Sequence, residues 1–152
     1  MQEVAFTALV HGVYVVTTRV GEKVNGMTAA WVSQVSVKPL LVMVSIAPPR
    51  YSHTLIKESG IFAINVLTTE QVELGKRFGF KSGRKIDKFA GLDYLIAATG
   101  APILPQAYAY FDLKLVSTQA AGDHTLFVGE VMEAKILHPQ AHPLVFHKGD
   151  FF

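Results

Sequence analysis

The longest apolar run in the chain, LLVMVSIA from Leu40 to Ala47, is cut off by Pro48-Pro49. A membrane-spanning helix needs roughly 20 apolar residues, and this run falls far short. A proline pair cannot continue either a helix or an internal strand. The run therefore reads as a β-strand buried on both faces, as in a closed barrel or an oligomer core.

Such a strand needs partners, and the chain supplies them. Val13–Val20 is β-branched and aromatic, and Gly21-Glu22-Lys23 turns it into a second extended piece, Val24–Val32. Ile61–Leu67 is another strand. Two long ones follow, Ala107–Gln119 and His124–Leu137, joined by Ala120–Asp123, and Leu144–His147 is a last short one. Tyr94–Ala98 reads as a minor strand, with Pro102 and Pro105 bracketing a turn. Two helices interrupt the series. Ser52 is placed to cap one over Ser52–Ser59, ended by Gly60. Thr68 and Gln71 have capping-box spacing for the other, over about Thr69–Phe80. Many strands with two short helices predict a mainly β single domain over residues 1–152, a barrel with helices plugging its gaps.

Composition agrees with one folded domain. Half of the 152 residues are hydrophobic and 17% are charged, enough for a real core and too apolar for disorder. A net charge of +2 is too small to argue for a nucleic-acid partner. With no cysteine there is no disulfide framework and no thiolate site. The first residues, MQEVAFTALV, lack the ordered regions of a signal peptide, so a cytoplasmic protein with no membrane partner is expected.

Four features could carry chemistry. PPRYSHT, Pro48–Thr54, brings Arg50, Ser52 and Thr54 to a helix start, where free N–H groups favour an anion; a capped helix beside an exposed arginine fits equally. Gly26, Ala29 and Ala30 within Val24–Ser36 would let a flat ligand approach the backbone, or simply mark a bulged barrel strand. The basic residues Lys76, Arg77, Lys81, Arg84, Lys85 and Lys88 suit a nucleotide phosphate or a solvated helix end. His124 opens an apolar strand, where a structural histidine is the ordinary finding. Asp123 precedes it, but strand neighbours point to opposite faces, so Asp123 is expected to serve the turn rather than grip the ring. His138 and His142 are each followed by proline, which argues against a helical metal pair. No Gly-x-Ser-x-Gly, Rossmann or P-loop pattern occurs.

In order along the chain, GVYVVTT, NGMTAAWVSQVSVKPLLVMVSI, SHTLIKESGIFAINVL and GDHTLFVGEV resemble the flavin reductase-like family of FMN-binding split β-barrels. The resemblance runs from about Gly12 to Phe146. It implies a homodimer binding FMN (or FAD), with NAD(P)H as cosubstrate delivering hydride to flavin N5. Asn25, Gly26, Met27, Thr28, Ala29, Ala30 and Trp31 would line the ring and ribityl chain, and Ser45, Ile46 and Ala47 would add backbone contacts. Arg50, Ser52, His53 and Thr54 would hold the phosphate, and the loop Lys81, Ser82, Gly83, Arg84 and Lys85 would approach it or the nucleotide. His124 would stand beside flavin and nicotinamide, positioning rather than abstracting a proton. The chain runs on only briefly past the last expected strand, without the extension some relatives lay over the ring. The resemblance leaves open an NAD(P)H:flavin reductase, a flavoredoxin-like electron carrier or a ferric-chelate reductase, with an electron-acceptor protein or monooxygenase as partner.

Overall fold

The computed structural model describes residues 1–152. Seven strands form one antiparallel sheet: β1 (Tyr14–Val20), β2 (Lys23–Ala29), β3 (Val32–Ser36), β4 (Leu41–Ile46), β5 (Ile61–Val66), β8 (Ala109–Ala121) and β9 (His124–Ile136). Their order is β2-β1-β5-β8-β9-β4-β3, and the small pair β6 (Leu95–Ile96) and β7 (Pro102–Ile103) stands apart.

Strands β2 and β3 lie at opposite edges of that sheet, yet only Ala30 and Trp31 separate them in the chain. Three Cα–Cα steps span at most roughly 11 Å, so the sheet must curl until its edges nearly meet. This is the split barrel. The expected strand Val24–Val32 therefore stops at Ala29, where the chain crosses the seam, and β3, which no expected strand covered beyond Val32, follows it.

Inside the barrel, Val16, Val44, Ile64, Leu113 and Phe127 alternate with outward residues, and α2 (Tyr51–Ser59) plugs it with Ile56. Each such side chain removed from water stabilises by roughly 1.5–3 kcal/mol. Strand β4 was expected to be buried on both faces; only Val42, Val44 and Ile46 are buried, while Leu41, Met43 and Ser45 on its outer face are half covered.

A second cluster lies outside the barrel. There α3 (Val72–Gly79) contributes Phe78, packed with Val15, Leu67, Phe89 and Leu144. The helix starts later than the Thr68–Gln71 spacing suggested. Gln71 Oε1 does accept from the Thr68 backbone N–H at 2.8 Å, but Thr68 Oγ1 accepts from Glu70 instead, closing a turn before the helix. The helix α2 likewise starts at Tyr51 with Arg50 as its N-cap residue, so Ser52 lies in its first turn rather than capping it.

Both chain ends carry short helical pieces. Residues Gln2–Ala5 (α1) and Phe6–Ala8 form helical turns. Leu144–His147 is not a strand: Val145 makes only a single bridge, to Gly12, and the chain then enters α4 (Lys148–Phe151). Phe151 stacks flat on Phe146, rings 5.6 Å apart. The β8–β9 turn is shorter than predicted, two residues with Gly122 at φ +60°, a conformation suited to glycine.

Candidate functional site

Where β2, α2 and the loop after α3 converge, a cavity of about 240 Å³ opens. Its wall carries Arg50, Lys81 and Lys88, the hydroxyls of Ser52 and Ser82, and Asn25, with no Asp or Glu. Asn25 Nδ2 donates to Ser52 Oγ at 2.9 Å, both buried, which leaves the Ser52 hydroxyl hydrogen free to donate elsewhere. No side chain caps α2, so the first N–H groups of the helix add partial positive charge on this side. Gly83 is packed so closely on Asn25 that a Cβ would overlap its Oδ1. The donor set fits a phosphate or another compact anion.

Lys88 was not singled out within its basic run, yet it is the one member of that run buried from solvent, 4% exposed. Its Nζ donates to the carbonyls of Gly26 (2.8 Å) and Phe78 (2.9 Å). Burial first, and the Arg50 charge second, push its pKa down to about 8. The signal for this was the apolar Phe89 directly after it in a polar loop. Arg84 turns away: it donates to Pro49 O at 3.0 Å and lies 4.7 Å from the Tyr51 ring, pinning the loop to the Pro-Pro turn. Lys85 lies with it on the outer side of that loop.

A second cleft of about 280 Å³ shares Arg50, Gly79 and Phe80 with the first. Thr28, Ala29 and Ala30 line it, with Phe146, Phe151 and Phe152 opposite. Here the backbone is open to a flat molecule because the residues are small. Gly26 is small for another reason: a Cβ would press on Phe78 at 2.9 Å. A third and wider groove, about 820 Å³, shares Phe146 and Phe152 with the second and reaches Trp31 and His11. The three form one continuous track, from the cationic cavity past Thr28–Ala30 to Trp31.

His124 stands at the far end, its ring 4.8 Å from that of Trp31. The expectation about Asp123 is overturned: its Oδ1 lies 2.7 Å from His124 Nδ1. Asp123 belongs to the turn and not the strand, so the alternation of strand side chains does not apply to it. The hydrogen bond to His124 and its charge hold the Asp123 carboxyl below the usual range.

Other predicted residues go elsewhere. His53 is buried in the barrel wall, its Nε2 2.8 Å from Thr125 Oγ1 and its ring edge-on to Phe127. Burial and Lys57 lower its pKa. Thr54 faces solvent, and Ile46 is core. The Ser45 N–H donates to Trp31 O at 3.1 Å, tying β4 to the seam, and Ala47 O accepts from the Arg50 N–H in the turn before α2.

A barrel split at one seam, with a cationic cavity joined to a cleft floored by small residues, suits a ligand that carries a phosphate and a flat ring. Residues 6–152 match the family model of the flavin reductase like domain, and the chain belongs to that family. It is 38% identical to an FMN reductase (NADH) of Agrobacterium fabrum, covering 97% of this chain and 81% of the relative. It is 36% identical to a high molecular weight rubredoxin of Moorella thermoacetica over 96% of its own length, but spans only 64% of that protein. Among solved structures, the NADH:FAD oxidoreductase of Streptomyces globisporus in complex with NAD and FAD fragments superposes with a TM-score of 0.88 at 30% identity, covering 97% of this chain and 87% of that one.

Proposed function

We propose that this chain is an NAD(P)H-dependent flavin reductase that binds FMN along the continuous track. The observation that carries this is the join between the two clefts. A cavity built for a phosphate shares Arg50, Gly79 and Phe80 with a cleft floored by small residues. When bound, the flavin would supply a ring whose N5 takes hydride from NAD(P)H. Arg50, Ser52, Ser82 and Lys88 would hold its phosphate, and the backbone of Thr28–Ala30 would meet the ring edge. Trp31 and His124 would border the space left for nicotinamide. Because the Asp123 carboxylate can only accept, His124 carries its proton on Nδ1; neutral, it accepts at Nε2, and charged, it donates there. That suits fixing a carboxamide, not taking a proton in hydride transfer.

Homodimer formation is part of this reading. A groove of about 320 Å³ reaching into the barrel core at Val42 and Ile64 is lined by Tyr14, Val32, Leu40, Phe111 and Val131, and Val35, Val37 and Leu40 nearby are at least half exposed. Apolar surface of that kind favours a second copy. No helix is long and apolar enough to cross a membrane, and a cytoplasmic role beside a monooxygenase or another electron acceptor is in keeping with the reading.

A second reading, an electron-carrying module within a larger system, is favoured by the rubredoxin relative, which extends well beyond the matched region. One experiment addresses both. The visible spectrum of the purified protein with FMN is recorded anaerobically before and after NADH or NADPH, followed by turnover assays with excess FMN or FAD. Bleaching with catalytic nucleotide oxidation supports the reductase. Bound flavin that bleaches only with a partner protein supports the carrier, and absence of flavin uptake removes both.

A further inference from the structure

We propose that His53 is a positioning residue for hydride transfer: it holds Thr125 from inside the barrel, and through Thr125 it fixes the direction in which His124 faces the nicotinamide. The inference rests on the flavin reading above and on His124 as a border of the nicotinamide space.

Helix α2 buries four side chains, Ser52, His53, Leu55 and Ile56. Leu55 and Ile56 are what a barrel plug needs. The two polar ones both lie in the first turn, and each is bonded to a different strand. Ser52 Oγ accepts from Asn25 Nδ2 of β2 at 2.9 Å, on the cavity wall. His53 Nε2 lies 2.8 Å from Thr125 Oγ1 of β9. The His53 ring also meets Phe127 edge-on, centroids 4.9 Å apart, which fixes its plane. Both members of the His53–Thr125 pair are buried, at 7% and 9% exposure. An apolar residue would fill the same space without the cost of taking polar groups out of water. What the hydrogen bond adds is direction.

That direction reaches His124 through the strand. Strand β4 ends at Ile46, opposite Thr125, while on its other side β9 pairs with β8 through both Thr125–Ala120 and His124–Ala121. Thr125 is therefore the first residue of β9 flanked by strands on both sides, and His124 has a neighbour on one side only. Successive strand residues point to opposite faces: Thr125 and Phe127 are buried, and His124 faces out to Trp31, 4.8 Å ring to ring. Pinning the Thr125 side chain inward thus sets the backbone from which His124 departs. Asp123 adds only the rotation of the ring, through Nδ1.

Trp31 refers to the same stretch of β9. The Ser45 N–H donates to Trp31 O at 3.1 Å, and Ser45 pairs with Leu126. Both borders of the nicotinamide space are therefore set against residues 125 and 126. Burial first, and the Lys57 charge second, lower the His53 pKa. The ring is neutral at pH 7, and a neutral imidazole meets a hydroxyl as donor or as acceptor.

The test places His53→Phe in two backgrounds, wild type and His124→Ala, and reads steady-state NADH oxidation with FMN beside fluorescence titration of FMN. Phenylalanine keeps a ring of similar shape and removes the bond. In the wild-type background turnover should fall about 3- to 10-fold, the worth of one ordinary hydrogen bond, with FMN affinity held within about 3-fold. In His124→Ala the same change should cost less than about 2-fold, because the group being positioned is gone. His53→Gln, whose amide can bond Thr125 in place of Nε2, should recover about half of the lost turnover or more. Should His53→Phe melt too low to assay, Thr125→Val removes the bond from its other end and is read in the same two backgrounds. Equal fractional loss in both backgrounds, no loss in either, no recovery with glutamine, or full turnover in His124→Ala alone overturns the proposal and leaves the flavin reading intact. Wild-type protein that neither binds FMN nor oxidises NADH or NADPH removes the reading and the proposal together.

Discussion

The Asp123 carboxylate and the His124 imidazole meet at 2.7 Å across the β8–β9 turn, with the Trp31 ring 4.8 Å from that of His124 on the neighbouring seam. Three residues far apart in sequence, or adjacent but expected to diverge, thus form one edge of the site. Asp123 is almost fully exposed, so its bond to His124 orients the ring rather than stabilising the fold.

Replacing Asp123 with Ala should accordingly leave the melting temperature unchanged within about 1 °C and flavin affinity within about 2-fold, since surface pairs contribute little. Turnover with NAD(P)H should fall several-fold because the imidazole loses its fixed tautomer. His124→Ala should lower turnover more, about 10-fold or beyond, again with flavin retained. Steady-state kinetics beside fluorescence titration separates the two effects. A His124→Ala enzyme with full turnover would show the histidine to be structural.

Much of this was legible in the chain, and the failures have identifiable causes. The strands followed from β-branched runs bounded by glycine and proline, because alternation and turn chemistry are local properties. The cut at Ala30-Trp31 was not legible, since it arises from barrel closure, and closure is a property of all seven strands. Helix-start logic pointed to Arg50 and Ser52, and both line the cavity even though Ser52 does not cap, because its first-turn position brings its hydroxyl there. Lys88 was hidden in a basic run because charge invites a solvated reading. Only the packing of Phe89 against Phe78, rings 5.1 Å apart, draws it inward. His53 does not line the cavity, because tertiary packing engages it with Thr125 and Phe127.

Gly83→Ala tests how tightly the cavity wall is built. The new Cβ would overlap Asn25 Oδ1, and Asn25 cannot move without releasing its buried bond to Ser52. Overpacking of this kind costs about 1–3 kcal/mol, or a melting temperature lower by about 2–10 °C at this chain length. FMN affinity should drop by at least about 10-fold because Ser52 loses its orientation. Calorimetry and flavin titration check the two together; a stable variant with normal FMN binding would mean that the loop simply shifts outward.

Phe151 closes the cleft beside Thr28–Ala30, stacked on Phe146 and resting where a side chain on Gly75 would otherwise go. Phe151→Ala should cost about 3 kcal/mol, the lower end for a buried phenylalanine, given its place in a short terminal helix. The same change opens the cleft, so flavin should bind more weakly and exchange faster. Stopped-flow release of FMN from wild type and variant reads this directly.

A buried acid away from the site makes stability depend on pH. Asp112 is fully buried, accepting from the Thr99 N–H at 2.8 Å and the Thr99 hydroxyl at 2.5 Å. Burial raises its pKa, outweighing the Thr99 hydrogen bonds that lower it, with Glu133 adding to the rise. The sign follows from linkage. When the folded pKa of an acid lies above the unfolded one, near 3.9, the unfolded chain gives up its proton first. Unfolding then becomes easier as pH climbs from that value through the folded pKa. Asp112 therefore lends stability on the mildly acidic side and loses it toward neutrality. Asp112→Asn removes the titration, and its amide can still accept from the Thr99 N–H while donating to the hydroxyl oxygen. Denaturant melts of wild type and variant at steps between pH 4 and 7 should show their stability difference shifting in favour of the variant as pH rises. A difference that does not change with pH would mean that Asp112 has the same pKa folded and unfolded.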